Sequence, residues 1–189
     1  KKFFNKPLIC HSIEYSQSSE NVTETYVSTD DPEIKRISIE YNAKVITRPK
    51  NISGDGATTE SAIEHAISKI DINPDIIILL QPTSPYRPEN SLDKAIKHFI
   101  ENKYDSLLSI SPTHNFIWNI SNDIANPNYD YKNRPRRQDM KPENIVYKEN
   151  GSIYIFSYQQ FQKSKNRLGG HIGYIIFDEE YGMEIDTEL

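Results

Sequence analysis

Cysteine is almost missing from these 189 residues: Cys10 stands alone, so no disulfide forms within the chain and a reducing compartment, the cytoplasm, is expected. No apolar run approaches the ~18 residues that a membrane span needs. The start, Lys1-Lys2-Phe3-Phe4-Asn5, has no apolar segment behind it of the kind a secretory leader carries. An excess of positive charge is lacking too. The net charge is −5, so no global basic field draws in nucleic acid, and an anionic ligand would need a local basic pocket. No internal repeat or low-complexity tract is evident. What is present is enough for one core: 36% hydrophobic residues, with 12 tyrosines among the 11% aromatics. The length suits a single domain, 1–189.

The most informative stretch is Asp75-Ile76-Ile77-Ile78-Leu79-Leu80-Gln81-Pro82-Thr83-Ser84-Pro85-Tyr86-Arg87-Pro88. Five apolar residues in a row predict a strand covered on both faces, as in a parallel sheet. Three prolines then bar ladder pairing and fix φ, which makes a stiff polar loop. Leu92, Ala95, Ile96, Phe99 and Ile100 follow at helical spacing. In an open α/β sheet ligands bind beyond the carboxyl ends of such strands, although an ordinary turn after a buried strand reads the same way.

The flanking segments repeat this alternation. A helix is expected from Pro7, a strand at 25–28, and a helix from Pro32 capped by Asp30 or Asp31. A strand at 44–46 closes at Arg48-Pro49. After Gly54 and Gly56, Thr58 or Thr59 caps a helix that buries Ala62, Ile63, Ala66, Ile67 and Ile70. Its free N–H groups could meet an anion or a base edge, or the helix is simply a capped helix. Further strands are expected at 106–110, 150–156 and 172–177. Strands alternating with helices to about residue 110 imply βαβ units and a mostly parallel sheet.

Residues 115–149 differ in texture, being rich in Asn, Asp, Tyr and Arg with weak periodicity. They read as an insertion or flap outside the sheet. The one dense basic cluster, Arg134-Pro135-Arg136-Arg137-Gln138, lies there; it would contact phosphate or carboxylate, or be solvated surface. Near the end, Glu184 and Asp186 would face the same side of a strand. Two carboxylates placed together call for a cation between them, and hard oxygen ligands suit Mg²⁺ (or Mn²⁺); an exposed edge strand with solvated acids is the plainer reading.

Taken in order, six motifs carry a resemblance: Val27-Ser28-Thr29-Asp30-Asp31; Arg48-Pro49 with Asp55-x-Ala57-Thr58-Thr59; Leu80-Gln81-Pro82-Thr83-Ser84-Pro85-Tyr86-Arg87; Arg137-Gln138-Asp139; Asn150-Gly151-Ser152-Ile153-Tyr154-Ile155; and Glu184-Ile185-Asp186-Thr187-Glu188. The chain resembles the acylneuraminate cytidylyltransferases, also called CMP-sialic acid synthetases, over nearly its whole length. The resemblance implies a Rossmann-like α/β fold of the nucleotide-diphospho-sugar transferase kind, with a mostly parallel sheet, flanking helices and a dimerisation excursion at about 115–149. It implies a homodimer, and transfer of CMP from CTP to a nonulosonic acid with release of pyrophosphate. Arg48 with Ala57, Thr58 and Thr59 then corresponds to the cytosine-reading segment. Gln81 corresponds to a contact with the acid sugar, Arg137 to a basic residue of that pocket and Asn150 to a polar residue at its rim. Asp186, with Glu184, corresponds to the metal pair. Asp186, Arg137 and Gln81 are the residues expected to carry catalysis.

The chain departs from the family in four places. The family begins with a strand and a Gly- and Lys-bearing phosphate loop, and Lys1 to Leu8 matches the segment just after that loop; the chain alone is therefore expected to bind CTP poorly. Glu184 stands where many relatives have Asp, Thr58-Thr59 stands for a common pair of serines, and the chain stops at Leu189, where a final helix would be expected. Two alternatives stay open: a related transferase, such as one acting on 3-deoxy-manno-octulosonate, and a nucleotide-binding module without turnover.

Overall fold

The structure is a computed structural model and describes residues 1–54, 56–134, 136 and 145–186. A short hairpin, β1 (Lys2–Phe3) and β2 (Lys6–Pro7), leads into α1 (Leu8–Gln17). Then come β3 (Tyr26–Thr29), α2 (Pro32–Glu40) and β4 (Lys44–Thr47). Asp31 starts α2 as expected: its Oδ1 accepts from the backbone N–H of Glu33 at 2.7 Å and of Ile34 at 2.9 Å, with Pro32 at the first helical position. α3 (Thr59–Ile67) is capped by Thr58, whose Oγ1 accepts from Ser61 N at 3.1 Å. Each such cap contributes about 1 kcal/mol. β5 (Ile76–Leu79), α4 (Ser91–Glu101) and β6 (Ser106–Thr113) complete the alternating part.

Beyond β6 the hairpin of β7 (Trp118–Ser121) and β8 (Ile124–Pro127) pairs only with itself among the described residues. Its turn residues, Asn122 and Asp123, both take positive φ, the geometry of tight hairpins. The long β9 (Val146–Ser157) then re-enters the sheet, followed by α5 (Tyr158–Ser164) and β10 (Ile172–Ile176).

The main sheet has the order β10-β6-β9-β5, and β3 pairs separately with β4. The expected fold class, α/β with helices flanking the sheet, holds, but the sheet is mixed rather than mostly parallel. β3–β4 and β6–β10 are parallel, whereas β9 runs antiparallel to both β5 and β6. The reason lies in the connection. A parallel neighbour needs a crossover back to the start of the sheet. The chain instead leaves β6 at Thr113 and begins β9 at Val146, the ladder partner of Thr113, so the new strand starts at the end where the old one stops.

The core has a layer on each side of the sheet. On one, Leu92, Ala95, Ile96 and Phe99 of α4 pack on Leu107, Ile153, Ile155 and Phe177. On the other, Ile63 of α3 meets Phe156 and Phe161. The alternation along β9 sends Ile153 and Ile155 to one side, and Tyr154 and Phe156 to the other. β5 is covered from both sides as its sequence implies, Ile76 and Ile78 facing the first layer and Ile77 and Leu79 the second, yet its four residues are only half-buried. No helix among the described residues is long and apolar enough to cross a membrane.

Candidate active site

The loop after β5 is held from beneath by a residue that the sequence presents only as part of a motif. Arg87 is buried, and its fork donates to three neutral acceptors: Nε to Ser152 O at 3.0 Å, Nη1 to Ser12 Oγ at 3.1 Å and Nη2 to Gln81 O at 2.8 Å. Its guanidinium lies 5.3 Å from the centre of the Tyr15 ring. Burial pulls its pKa down to about 10, which leaves it charged at neutral pH. One side chain thus fixes the separation between Gln81 and the start of the Ser152–Phe156 run.

Between those two points lies Gly151, at φ +66. A Cβ there would stand 2.6 Å from Gln81 Oε1, 2.7 Å from Ser84 Oγ and 3.3 Å from Glu184 Oε1. Three side-chain oxygens, two from the loop after β5 and one from the tail, therefore converge where a side chain is missing. Ser84 and Ser152 are fully buried, and their hydroxyls have no hydrogen-bond partner. An orphaned buried hydroxyl costs about 1–3 kcal/mol.

The tail closes the same site. Ile185 N donates to Thr83 O at 2.8 Å, which places Glu184 and Asp186 alongside the Gln81 loop. Lys148 Nζ donates to Gly182 O at 3.0 Å and Lys1 Nζ to Asp186 O at 2.6 Å, steadying the tail from both sides. The expected strand is corrected here: residues 183–186 lie in no ladder and are held by one backbone bond, because a polar, proline-rich loop offers no strand to pair with. Both carboxylates are exposed. No group of three His, Cys, Asp or Glu side chains among the described residues stands close enough to hold a metal alone. Glu184 and Asp186 are hard oxygen donors of the kind that suits Mg²⁺, which takes few protein ligands and completes its shell with water and substrate phosphates.

Asn150 does not sit at a rim. It is fully buried; its Oδ1 accepts from Ser109 Oγ at 2.5 Å and from Ser152 N at 3.2 Å, and its Nδ2 donates to Ser111 Oγ at 3.0 Å. With its amide committed inward, it braces the turn that presents Gly151 instead of reaching a ligand.

The residues expected to read the nucleotide are held by other contacts. Arg48 follows β4 and donates from Nη2 to Ser28 O at 2.5 Å, while its buried Nε has no partner. Ala57 N donates to Gly54 O at 2.9 Å, turning the chain into the Thr58 cap. No hydrogen bond or ion pair links Arg48 or residues 57–59 to the Gln81 group among the described residues. The structure therefore joins Gln81, Glu184 and, through the tail, Asp186, and places Arg48 and residues 57–59 among other partners, Ser28 for Arg48 and Gly54 and Ser61 for the start of α3. Arg137 lies outside the described residues, as does Asp55. Arg87, Ser84 and Gly151 are the additions. The signal for Gly151 was its place between a polar Asn and an apolar run, and for Ser84 and Arg87 their place in a loop stiffened by proline.

Among known proteins, the family described as cytidylyltransferase matches residues 1–187. The chain is 29% identical to an N-acylneuraminate cytidylyltransferase of Escherichia coli, over 98% of this chain and 44% of that protein. It is 33% identical to a CMP-N,N'-diacetyllegionaminic acid synthase of Legionella pneumophila, over 85% of this chain and 71% of that one. The chain thus spans less than half the length of the first of these relatives. Among solved structures, a CMP:2-keto-3-deoxy-manno-octonic acid synthetase complexed with CTP superposes with a TM-score of 0.65 at 16% identity, covering 94% of this chain and 82% of that one. A 4-diphosphocytidyl-2C-methyl-D-erythritol synthase from Anaerococcus prevotii does so with a TM-score of 0.68 at 13% identity, over 99% of this chain and 83% of that one. At such identities these two speak for the fold.

Proposed function

Since the chain belongs to the cytidylyltransferase family, we propose that it activates a nonulosonic acid with CTP. The anomeric hydroxyl of the sugar attacks the α-phosphorus, a new P–O bond forms as the bond to the pyrophosphate breaks, and CMP-sugar and pyrophosphate leave. The observation that carries this reading is the convergence of Gln81, Ser84 and Glu184 on the space above Gly151, with the acidic tail tethered to the same loop. That group offers the side-chain oxygens of Gln81 and Glu184 as acceptors to the hydroxyl and amide groups of a sugar, and the carboxylates of Glu184 and Asp186 in the tail are exposed.

Phosphoryl transfer asks for positioning and charge neutralisation more than for covalent help. Arg87 and Asn150 set the positions: one fixes Gln81 against β9, the other braces the Gly151 turn. Arg48 donates to cytosine O2, and backbone carbonyls near Ala57 accept from its amino group. Arg137 neutralises substrate charge. Glu184 and Asp186 hold Mg²⁺, which when bound supplies positive charge to the triphosphate. The protein works as a homodimer in the cytoplasm. Trp118, Ile120 and Ile124 of the β7–β8 hairpin, and Val146 and Tyr147 at the start of β9, are exposed apolar residues that a second copy would cover.

The test is pyrophosphate release by the full-length protein with CTP, Mg²⁺ and a panel of neuraminic, legionaminic, pseudaminic and deaminated acids, with 3-deoxy-manno-octulosonate as a further arm. Release with a nine-carbon acid is expected. Release with the octulosonate alone would move the substrate class, and none with any sugar would refute the enzyme.

A further inference from the structure

The segment between α5 and β10 is fastened to α3 at two points. Lys165 Nζ pairs with Glu64 Oε1 at 2.7 Å, both side chains being more than half exposed, and Arg167 Nη1 pairs with Glu60 Oε1. Glu60 and Glu64 lie one turn apart on the same face of the helix. The two pairs differ in setting. The exposed one contributes little. The Arg167 pair is 22% and 24% exposed, and the guanidinium also lies 4.7 Å from the centre of the Tyr154 ring. Tyr154 is buried on β9, and its hydroxyl donates to Glu149 Oε2 at 2.7 Å.

These contacts form one line, Glu60–Arg167–Tyr154–Glu149, and its ends matter. Glu60 is the second residue of α3, two places beyond the Thr58 cap. Glu149 directly precedes Asn150 and Gly151. Tyr154 is also the ladder partner of Leu79, two residues before Gln81. The line therefore runs from the residues assigned to the nucleotide to those assigned to the sugar, two groups that no hydrogen bond or ion pair joins among the described residues. It also explains the residue types. A flat guanidinium can pair with a carboxylate at its edge while stacking on a ring with its face, which an ammonium cannot.

We propose that Arg167 is a positioning residue that keeps the start of α3 in register with the strand leading into the Gly151 turn, so that occupation of one substrate site favours occupation of the other. This rests on the assignment of residues 57–59 to CTP and of the Gln81 group to the acid sugar.

The experiment uses the full-length protein and the variants Arg167→Met, Arg167→Lys and Tyr154→Phe. Pyrophosphate release is measured across both substrate concentrations. In the parent protein, saturation with CTP lowers the KM of the acid sugar. Arg167→Met raises the KM of CTP about ten-fold, the size of an ordinary coupling, and abolishes that lowering. Arg167→Lys restores much of the CTP KM but not the coupling. Tyr154→Phe keeps the ring, cuts the bond to Glu149 and loses the coupling with the CTP KM little changed. Variants that melt earlier but keep both KM values and the coupling show a merely structural residue and overturn the proposal. If Arg167→Met does not fold, the other two variants decide.

A parent protein that releases no pyrophosphate with any sugar refutes the functional reading, and amide hydrogen exchange then judges the line by itself. Faster exchange in Arg167→Met both at 61–63 and at 151–152 supports it. A change confined to 165–168 overturns it.

Discussion

Replacing Gly151 by alanine tests the centre of the site. Two costs can be worked out. The backbone sits at φ +66, where an L side chain crowds its own carbonyl, a penalty of roughly 1–2 kcal/mol. The added Cβ would also lie 2.6 Å from Gln81 Oε1 and 2.7 Å from Ser84 Oγ, closer than carbon and oxygen tolerate. The strand cannot retreat, because Arg87 bonds Ser152 O on one side and Gln81 O on the other. The Gln81 amide must therefore swing out and Ser84 must shift. Adding about 1 kcal/mol for that repacking gives a loss of roughly 2–3 kcal/mol, or a fall in Tm of roughly 5–10 °C for a chain of this size. Thermal melts measure the first effect and steady-state kinetics the second. If Gln81 reads the acid sugar, the KM for that sugar rises about ten-fold or more while the KM for CTP stays within about two-fold. A variant that melts as the parent does, with the acid-sugar KM unchanged, would refute both the packing argument and the role given to Gln81.

Three further outcomes are expected. Asp186→Ala abolishes Mg²⁺-dependent pyrophosphate release while leaving the melt within about 2 °C of the parent, since the side chain is exposed; persistent turnover would remove Asp186 from the metal site. Arg48→Ala costs about 1 kcal/mol through the lost bond to Ser28 O, raises the KM for CTP and lets UTP compete; unchanged CTP kinetics would take Arg48 out of the nucleotide site. Burial and the bond to Glu149 push the Tyr154 pKa up to about 12. The folded state therefore holds this proton more tightly than the unfolded chain does near pH 10, so the stability present below pH 10 declines between about pH 10 and 12, by roughly 2–3 kcal/mol in all. Melts of Tyr154→Phe should lose that part of the alkaline slope, and an identical slope in both proteins would contradict the assignment.

The elements were legible where one local signal sufficed. Asp30 or Asp31 before Pro32, and Thr58 or Thr59 before a helical apolar pattern, each signal a cap, and the caps form at Asp31 and Thr58. The direction of β9 was not legible. Its run Ile153 to Phe156 is as apolar as that of a parallel strand, and which way it enters the sheet depends on where the preceding connection begins and ends. That connection lies in 115–149, the one region whose periodicity is too weak to read. The same limit hid the form of the tail. Glu184 and Asp186 alternate as in a strand, but a strand requires a partner, and its neighbour is a loop with three prolines.

Residue type alone divided the site differently from its geometry. Asn150 looked like a ligand contact because an amide before a glycine could serve either use; the fully buried hydrogen-bonding of its side chain assigns it to the frame. Arg87 looked like part of a loop motif, yet a buried cation facing only neutral acceptors is costly to fold around, and such a cost persists where it sets a distance nothing cheaper can set. Its two backbone bonds span the space that Gly151 leaves open. What the chain could not disclose in one dimension is that a proline-stiffened loop, a glycine turn and an acidic tail are held face to face by a guanidinium beneath them. That shared mounting makes the behaviour of Gly151→Ala a question about the whole pocket and not about one glycine.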